Sequence, residues 1–267
     1  MALMIGLSFL YGTLIGSFLN VLILRLPRRR SLGGRSACPT CKSKLTAIEL
    51  IPLVSYVALR GKCRSCHTPI SPRYFIIELA TGALFALAAY VINPGVFIEY
   101  LSLLRVWLII AVLIAVFVID LKHFLILDKV IFPASIVVFV LNVILDFGYG
   151  NSFFSWSSLS VGGLAAALFP CAFFFALWYL SRGKWIGFGD VKYMIFLGVA
   201  LTWPTIWAGL FVAFVLGGIV GTGLLAFGNK TMQSKLPLGT FLSVGALIGL
   251  LWGHQLLQWY LGFIGVA

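Results

Sequence analysis

Eight apolar segments of roughly membrane-spanning length recur along this chain, and they limit its fold more than any other feature of the sequence. Most of them approach the roughly 20 residues that a helix needs to cross a hydrocarbon core about 30 Å thick, and the sixth is shorter. Because 61% of the residues are hydrophobic and only 10% are charged, the chain lies outside the composition range of soluble domains. We predict an all-α polytopic membrane protein with about eight transmembrane helices. The segments are residues 2–24, 74–92, 102–119, 130–147, 158–180, 191–203, 205–227 and 238–264.

The basic residues are distributed unevenly along the chain. The formal net charge of +12 would by itself suggest a nucleic-acid partner. If the first apolar segment starts outside the cytoplasm, however, 18 of the 19 Lys and Arg residues fall in alternate loops, and only Arg105 lies on the opposite side. This is the positive-inside pattern of membrane proteins. It predicts contact with membrane lipid, no nucleic-acid partner and two periplasmic termini.

The loop that follows the first segment differs from the rest of the chain. Between residues 25 and 73, charged residues, proline and cysteine all become more frequent. A stretch of about 50 residues is too small for a large hydrophobic core and usually needs a metal or disulfides. The first segment has no basic n-region and no small-residue cleavage site, so we expect it to be retained. We therefore predict a first transmembrane helix at 1–24, a small cytoplasmic domain at 25–73 and a seven-helix membrane domain at 74–267.

Four cysteines in that loop have the spacing of a zinc site. They form two C-x2-C knuckles separated by 21 residues, and each knuckle supplies two thiolates to one tetrahedron. Neighbouring Lys and Arg side chains favour the thiolate form. Two disulfides are the alternative, but the predicted cytoplasmic location favours structural zinc. The four predicted ligands are Cys38, Cys41, Cys63 and Cys66.

Two aspartates lie where apolar segments meet polar loops. Asp120 ends the third segment, and Asp190 follows Gly187-Phe188-Gly189, whose glycines permit a bend and a close approach. Counted from the outer ends of their segments, both lie about 21 to 23 Å deep. Carboxylates are costly in a membrane, and two that meet there share a proton, so one activates water while the other acts as an acid. The alternatives are a helix-end residue for Asp120 and a helix cap for Asp190.

Three further acids and several glycine pairs leave more than one interpretation open. Glu49 and Glu78 flank the cysteine loop, where each could form an ion pair or contact the substrate. Asp128 could be a loop cap or a substrate contact. Small-xxx-small pairs allow close helix packing. They indicate either packing within the chain or a homodimer. The pairs are Gly12/Gly16, Gly217/Gly221, Gly245/Gly249 and Gly249/Gly253.

An ordered series of motifs resembles the bacterial type IV prepilin peptidases, also called leader peptidase and N-methyltransferase, over nearly the full length of the chain. A lone GxGD would be weak, but the whole series is specific. Two departures are Ile126-Leu127-Asp128, where a proline is common, and Tyr193, where leucine is common. The matching motifs are Gly16-Ser-Phe-Leu-Asn-Val, Arg25-Leu-Pro, both cysteine knuckles, Glu49-Leu-Ile-Pro-Leu-Val-Ser-Tyr56, Leu59-Arg-Gly-Lys-Cys-Arg64, Pro69-Ile-Ser-Pro-Arg-Tyr74, Ile119-Asp120, Gly187-Phe-Gly-Asp-Val-Lys192 and Leu236-Pro-Leu-Gly-Thr-Phe-Leu242.

The resemblance implies a GxGD-type aspartyl protease of the bacterial inner membrane, with Asp120 and Asp190 as its catalytic residues facing the cytoplasm. It implies that the enzyme removes the short basic leader of prepilins or pseudopilins. Members with the four-cysteine domain also methylate the new N-terminus with S-adenosylmethionine. No glycine-rich methyl-donor motif is present, so the methyltransferase activity is implied by resemblance alone and its site stays unassigned.

Three other functions fit parts of the sequence. A proton-coupled transporter would relay protons through Asp120 and Asp190, but it needs no cysteine domain and the chain has no inverted repeat. A general GxGD intramembrane protease would share the aspartates without explaining the knuckles. A zinc-stabilised scaffold would need neither aspartate.

Overall fold

A computed structural model of the chain describes residues 1–151, 158–226 and 236–265. Within these residues the protein contains α-helices, one short 3₁₀ helix at Ile48–Leu50 and no named strand, which confirms the predicted all-α class. Lys230 and Lys235, which contribute to the charge pattern, lie outside the described residues. The helices are α1 (Ala2–Arg25), α2 (Val54–Ala58), α3 (Arg73–Ile92), α4 (Phe97–His123), α5 (Asp128–Gly148), α6 (Leu159–Ser181), α7 (Phe188–Leu201), α8 (Thr205–Ala226) and α9 (Leu238–Phe263).

Seven of the described helices are long and apolar enough to cross a membrane, and α7 is not among them. The 14 residues of α7 extend for about 21 Å, less than a hydrocarbon core of about 30 Å. The sixth apolar segment of the sequence therefore forms a short inner helix. Its side chains explain how a short helix is tolerated, since Tyr193, Met194 and Phe196 are fully buried. Other helices, rather than lipid, surround α7.

The chain divides into two compact units, Met1–Pro94 and Gly95–Ala267. In the first unit α1 and α3 pack as an antiparallel pair. A Cβ atom on Gly12 would lie 2.8 Å from Cα of Gly82, and one on Gly16 would lie 2.8 Å from Cα of Glu78. Only glycine allows this approach, so Gly12 and Gly16 pack helices within the chain. The predicted division of this region after residue 73 stays a prediction.

In the second unit, α7 packs against α5, α6, α8 and α9. Small residues again allow close contact, here between α8 and α9. A Cβ atom on Gly249 would lie 2.9 Å from Cα of Gly209. The pair Gly245/Gly249 thus packs α9 against α8, and no homodimer is needed to account for it.

A buried polar network holds the C-terminal end of α7. Arg105 of α4 is only 6% exposed. Its Nη2 donates to the Ala200 carbonyl at 2.7 Å, and its Nε donates to Asn142 Oδ1. The Asn142 amide donates to the Val199 carbonyl at 3.0 Å. Carbonyls at a helix end lack partners within the helix, so these two side chains satisfy them. The charge pattern places Arg105 near the outer end of the third apolar segment, and the structure shows that it is buried there.

Replacing Arg105 with methionine is expected to destabilise the protein. The two carbonyls at the end of α7 lose donors, at a cost of about 2 kcal/mol, which corresponds to a thermal midpoint lower by about 4 to 8 °C. Thermal unfolding in detergent would measure this shift. Leu104→Ala is the matched control, because Leu104 is the preceding residue on α4 and is exposed. Equal shifts for the two variants would contradict a stabilising role for the Arg105 network.

Candidate functional site

Asp120 lies in the last turns of α4 and is only 5% exposed. Its carboxylate is held by the first turn of α9. The Thr240 N–H donates to Asp120 Oδ2 at 2.8 Å, and the Thr240 hydroxyl donates to the same oxygen at 3.3 Å. The first N–H groups of a helix lack partners within that helix and favour negative charge. The N-terminus of α9 therefore fixes Asp120 in one orientation.

Gly239 makes this arrangement possible. A Cβ atom at this position would lie 2.9 Å from Asp120 Oδ2 and 3.1 Å from its Cγ. Any larger residue would push the carboxylate away from the end of α9. Sequence reasoning identified the segment that contains Gly239 and Thr240 only as a family motif and gave neither residue a role.

Asp190 lies in the first turn of α7, and its side chain is partly exposed. Gly187 is extended, with φ of −73° and ψ of 146°, and the chain turns from it directly into α7. The expected close approach is present, because a Cβ atom on Gly189 would lie 3.2 Å from the Ile126 Cβ. Gly189 thus lets α7 begin against the loop that follows α4.

The structure brings Asp120 and Asp190 together. The two carboxylates are close enough to interact electrostatically with each other. Both are also close enough to interact electrostatically with the Tyr193 side chain. The Ile126 side chain lies against both Gly189 and Gly239, the glycines next to the two acids. We call Asp120 and Asp190 the aspartate pair. One member is buried and the other partly exposed, so reactants can approach from the Asp190 side.

Two contacts brace α7 beside the aspartate pair. The hydroxyls of Tyr193 and Ser243 are 2.8 Å apart, and Ser243 donates to the Gly239 carbonyl at 2.7 Å. Tyr193 is fully buried, so this departure from the common family pattern links α7 to α9. Lys192 Nζ lies 2.7 Å from Asp128 Oδ2, which ties α7 to the start of α5. This exposed ion pair contributes at most about 1 kcal/mol.

The four cysteines predicted as zinc ligands form one cluster. Their Sγ atoms all lie within 4.8 Å of one another, and those of Cys38 and Cys66 are 3.8 Å apart. A tetrahedral zinc with bonds of about 2.3 Å needs sulfur atoms about 3.8 Å apart. All four are free thiols, so the disulfide alternative has no support. The thiols of this cysteine cluster fit a zinc ion.

The two knuckles have the same backbone pattern. In the first, the Cys38 N–H donates to the Ser43 carbonyl, and in the second the Cys63 N–H donates to the Thr68 carbonyl. Hydrogen bonds from the Thr68 side chain and then its backbone lower the pKa of the Cys66 thiol to about 6. That thiol is therefore mostly ionised at neutral pH, and the thiolate is the form that binds metals.

The two acids beside the cysteine cluster have different surroundings. Glu49 accepts from the backbone and side chain of Thr46 at 2.8 and 2.7 Å, and the backbone bond is the largest of the effects that lower its pKa. Glu78 is only 8% exposed and accepts from the Leu53 N–H at 2.9 Å. Glu49 therefore caps a local turn, while Glu78 holds the loop onto α3.

Models of two known protein families match the part of the chain with the cysteine cluster and the part with the aspartate pair. The model of the bacterial peptidase A24 N-terminal domain matches residues 10–92, and that of the type IV leader peptidase family matches residues 107–222. A prepilin leader peptidase/N-methyltransferase of Aeromonas hydrophila is 32% identical, over 96% of this chain and 93% of the relative. The chain belongs to the type IV leader peptidase family. This confirms the resemblance found in the sequence.

Other relatives of this leader peptidase bear the same name. The protein of Pseudomonas aeruginosa is 31% identical over 97% of this chain and 93% of its own length. The protein of Legionella pneumophila is 31% identical over 98% and 95%. No solved structure matches the chain. Family membership and seven candidate spans identify a multi-pass inner-membrane enzyme, which argues against the transporter and scaffold alternatives.

Proposed function

We propose that this leader peptidase removes the short basic leader of prepilins or pseudopilins, with Asp120 and Asp190 as its catalytic residues. The observation that carries the proposal is the aspartate pair itself, in which Asp120 is held by the N-terminus of α9 beside the more accessible Asp190. Hydrolysis by two carboxylates needs one group to accept a proton and one to donate a proton.

The reaction can be written with these two groups alone. One carboxylate removes a proton from water as the water oxygen bonds to the carbonyl carbon of the scissile peptide. The other gives a proton to the leaving nitrogen as the carbon–nitrogen bond breaks. The products are a leader with a new carboxyl terminus and a mature pilin with a free amine. The backbone and side chain of Thr240 donate to Oδ2 of Asp120, and the partly exposed Asp190 carboxylate is the more accessible of the two.

The surroundings of the aspartate pair suit a substrate that is half apolar. A prepilin carries its basic leader on one side of the scissile bond and an apolar helix on the other. Large apolar side chains are exposed close to both aspartates in the sequence, and they offer a surface for such a helix. They are Leu121, Phe124, Leu125 and Phe188.

The second activity in the proposal is methylation of the new N-terminus. S-adenosylmethionine would supply the methyl group, which moves from its sulfonium sulfur to the amine nitrogen as a proton leaves that nitrogen. Zinc in the cysteine cluster would be structural, because four thiolates fill its tetrahedral shell and leave no position for water. The geometry of the cysteine cluster supports the zinc assignment. The methylation is proposed from the names of the relatives.

The decisive experiment is cleavage of a purified prepilin by the purified enzyme in detergent. We expect release of the leader and, with S-adenosylmethionine present, a mature chain heavier by one methyl group in mass spectra. A control prepilin in which proline follows the scissile bond should stay intact. An enzyme preparation that folds but leaves the native prepilin uncut would overturn the proposed function.

Membrane orientation gives a separate prediction. Of the 17 basic residues up to Lys192, 16 lie in alternate loops and only Arg105 does not, so the positive-inside rule places the aspartate pair at the cytoplasmic face. A reporter that is active only outside the cytoplasm should be active when fused after Asn151 and silent when fused near Ser36. The reverse pattern would place the aspartates on the wrong side for a cytoplasmic leader.

A further inference from the structure

The first compact unit contains buried polar atoms that the proteolytic site does not use. Among the described residues, Asn20 Oδ1 and Arg73 Nε are buried without a hydrogen-bond partner. Asn20 lies near the end of α1 and is only 3% exposed, and Arg73 is the first residue of α3. Buried polar groups are nearly always paired in native proteins, so two orphans at one end of a helix pair need an explanation.

These two residues share a neighbour. The Asn20 amide nitrogen donates to the Tyr74 carbonyl at 3.1 Å. The Arg73 guanidinium lies 5.5 Å from the centre of the Tyr74 ring. Asn20 and Arg73, each with one unpaired atom, therefore both contact Tyr74, where α1 and α3 adjoin the cysteine segment.

A buried carboxylate completes the group. Glu78 follows Tyr74 by one helical turn, so the two lie on the same face of α3. The Glu78 backbone lies against Gly16, and its carboxylate accepts a hydrogen bond from Ser17, one turn before Asn20 on α1. Within the described parts of the chain Glu78 has no salt bridge, although a buried carboxylate is costly without a positive partner. We call Asn20, Arg73 and Glu78 the α1/α3 polar cluster.

Other buried polar residues of the same helix pair behave differently. Each donates to a carbonyl of its own helix and needs no further partner. Thr81 is fully buried and donates to the Ile77 carbonyl at 2.7 Å. Ser8 and Thr13 do the same on α1, at 2.7 and 2.8 Å. The buried polar atoms that lack a hydrogen-bond partner are thus concentrated at one end of the α1/α3 helix pair.

The chemistry of the cluster specifies its ligand. A guanidinium N–H without a partner is suited to a carboxylate. An unpaired carbonyl oxygen beside a buried carboxylate is suited to an ammonium group. One molecule that carries both groups on neighbouring atoms is an α-amino acid, and S-adenosylmethionine ends in such a unit.

We propose that the amino-acid end of S-adenosylmethionine binds at the α1/α3 polar cluster. Its carboxylate accepts from Arg73 Nε, its ammonium donates to Asn20 Oδ1, and Glu78 is the counter-ion of the ammonium. This inference rests on the methyltransferase half of the proposed function. It assigns this part of the methyl-donor site to residues of the first unit.

The site also gives the cysteine cluster a function. Leu53, whose N–H holds Glu78, lies in the segment between the two knuckles, and Arg73 follows Cys66 by seven residues. Leu53 has a left-handed backbone with φ of 59°, a conformation that persists only when the surroundings impose it. A metal that fixes the knuckles therefore fixes both the loop over Glu78 and the approach to Arg73.

Binding to the full-length enzyme in detergent tests this site without any prepilin. Two competitors of labelled S-adenosylmethionine are compared: S-adenosylhomocysteine, which keeps the amino-acid end, and 5′-methylthioadenosine, which lacks it. We expect the wild type to prefer the first by about tenfold or more. Arg73→Gln and Glu78→Gln should remove most of that preference while 5′-methylthioadenosine binds as before. Thr81→Val, at a buried polar residue with its own partner, should keep the full preference.

The outcomes separate this inference from the function on which it rests. If both variants keep the wild-type preference, or if they lose 5′-methylthioadenosine equally, the cluster does not bind the amino-acid end, and the proposed methylation still stands. If the wild type binds no S-adenosylmethionine, the methyltransferase half fails together with this site. Glu78→Gln is close to isosteric and keeps an acceptor for Leu53, so it remains informative if Arg73→Gln does not fold.

Discussion

Asp190→Asn and Asp120→Asn are each expected to reduce prepilin cleavage to background, a loss of at least about a thousandfold. Asparagine keeps the size of the side chain and an oxygen that can accept from Thr240, but it cannot take up and release a proton. Both variants should therefore insert and fold normally. Initial rates with a purified prepilin, measured by separating precursor from mature pilin, would determine the loss.

Glu99→Gln is the matched control for these aspartate variants. Glu99 lies on the same helix as Asp120 but in its first turn, where it accepts from the Gly95 N–H at 2.6 Å. Its replacement makes the same change of charge far from the aspartate pair, so cleavage should stay close to that of the wild type. Appreciable cleavage by a folded Asp120→Asn or Asp190→Asn enzyme would disprove the two-carboxylate mechanism.

The second large effect is expected when Cys38 and Cys41 are both replaced by serine. Removal of one knuckle leaves two ligands, so about one zinc per chain should be lost. The segment from residue 25 to residue 73 should then become sensitive to proteases, because it has no large core of its own. Methylation should fall more than cleavage, since Leu53 and Arg73 depend on this segment and the aspartate pair does not.

Elemental analysis, limited proteolysis and separate assays of cleavage and methylation would measure these effects. Cys171→Ser is the control, because Cys171 lies on α6 outside the cysteine cluster. Metal-free wild-type protein would remove the zinc assignment. A zinc-depleted variant that lost cleavage as completely as Asp190→Asn would show that the metal also supports proteolysis.

Local patterns in the sequence were sufficient to find the groups that carry the chemistry. The cysteines occur as two knuckles with a recognisable spacing, and each aspartate marks a boundary between an apolar segment and a loop. The structure brings the cysteines into one cluster and Asp120 close to Asp190. Their roles as zinc ligands and catalytic residues remain predictions that the experiments above address.

Local sequence patterns could not identify the residues that bond to the aspartates or bury the helices. Thr240 follows Asp120 by 120 residues, and no local pattern connects an acid at one helix end with a threonine at another. The burial of Arg105 and its contacts with Asn142 and Ala200 were not predicted, because charge patterns record sign and order but not burial. The sequence showed that the sixth segment is short, but it did not show that other helices surround α7, because hydropathy does not distinguish a segment buried in protein from one surrounded by lipid.

The bond between Asp120 and Thr240 has a consequence for biosynthesis. Membrane helices are made in chain order, and α4 is synthesised more than a hundred residues before α9. During that interval Asp120 has neither the N–H nor the hydroxyl that orients it in the mature enzyme. Under the proposed mechanism, the orientation of Asp120 is therefore acquired late, when α9 reaches its place beside α4. Under that mechanism, a ribosome-bound chain that has inserted both aspartates but not yet α9 is expected to lack peptidase activity.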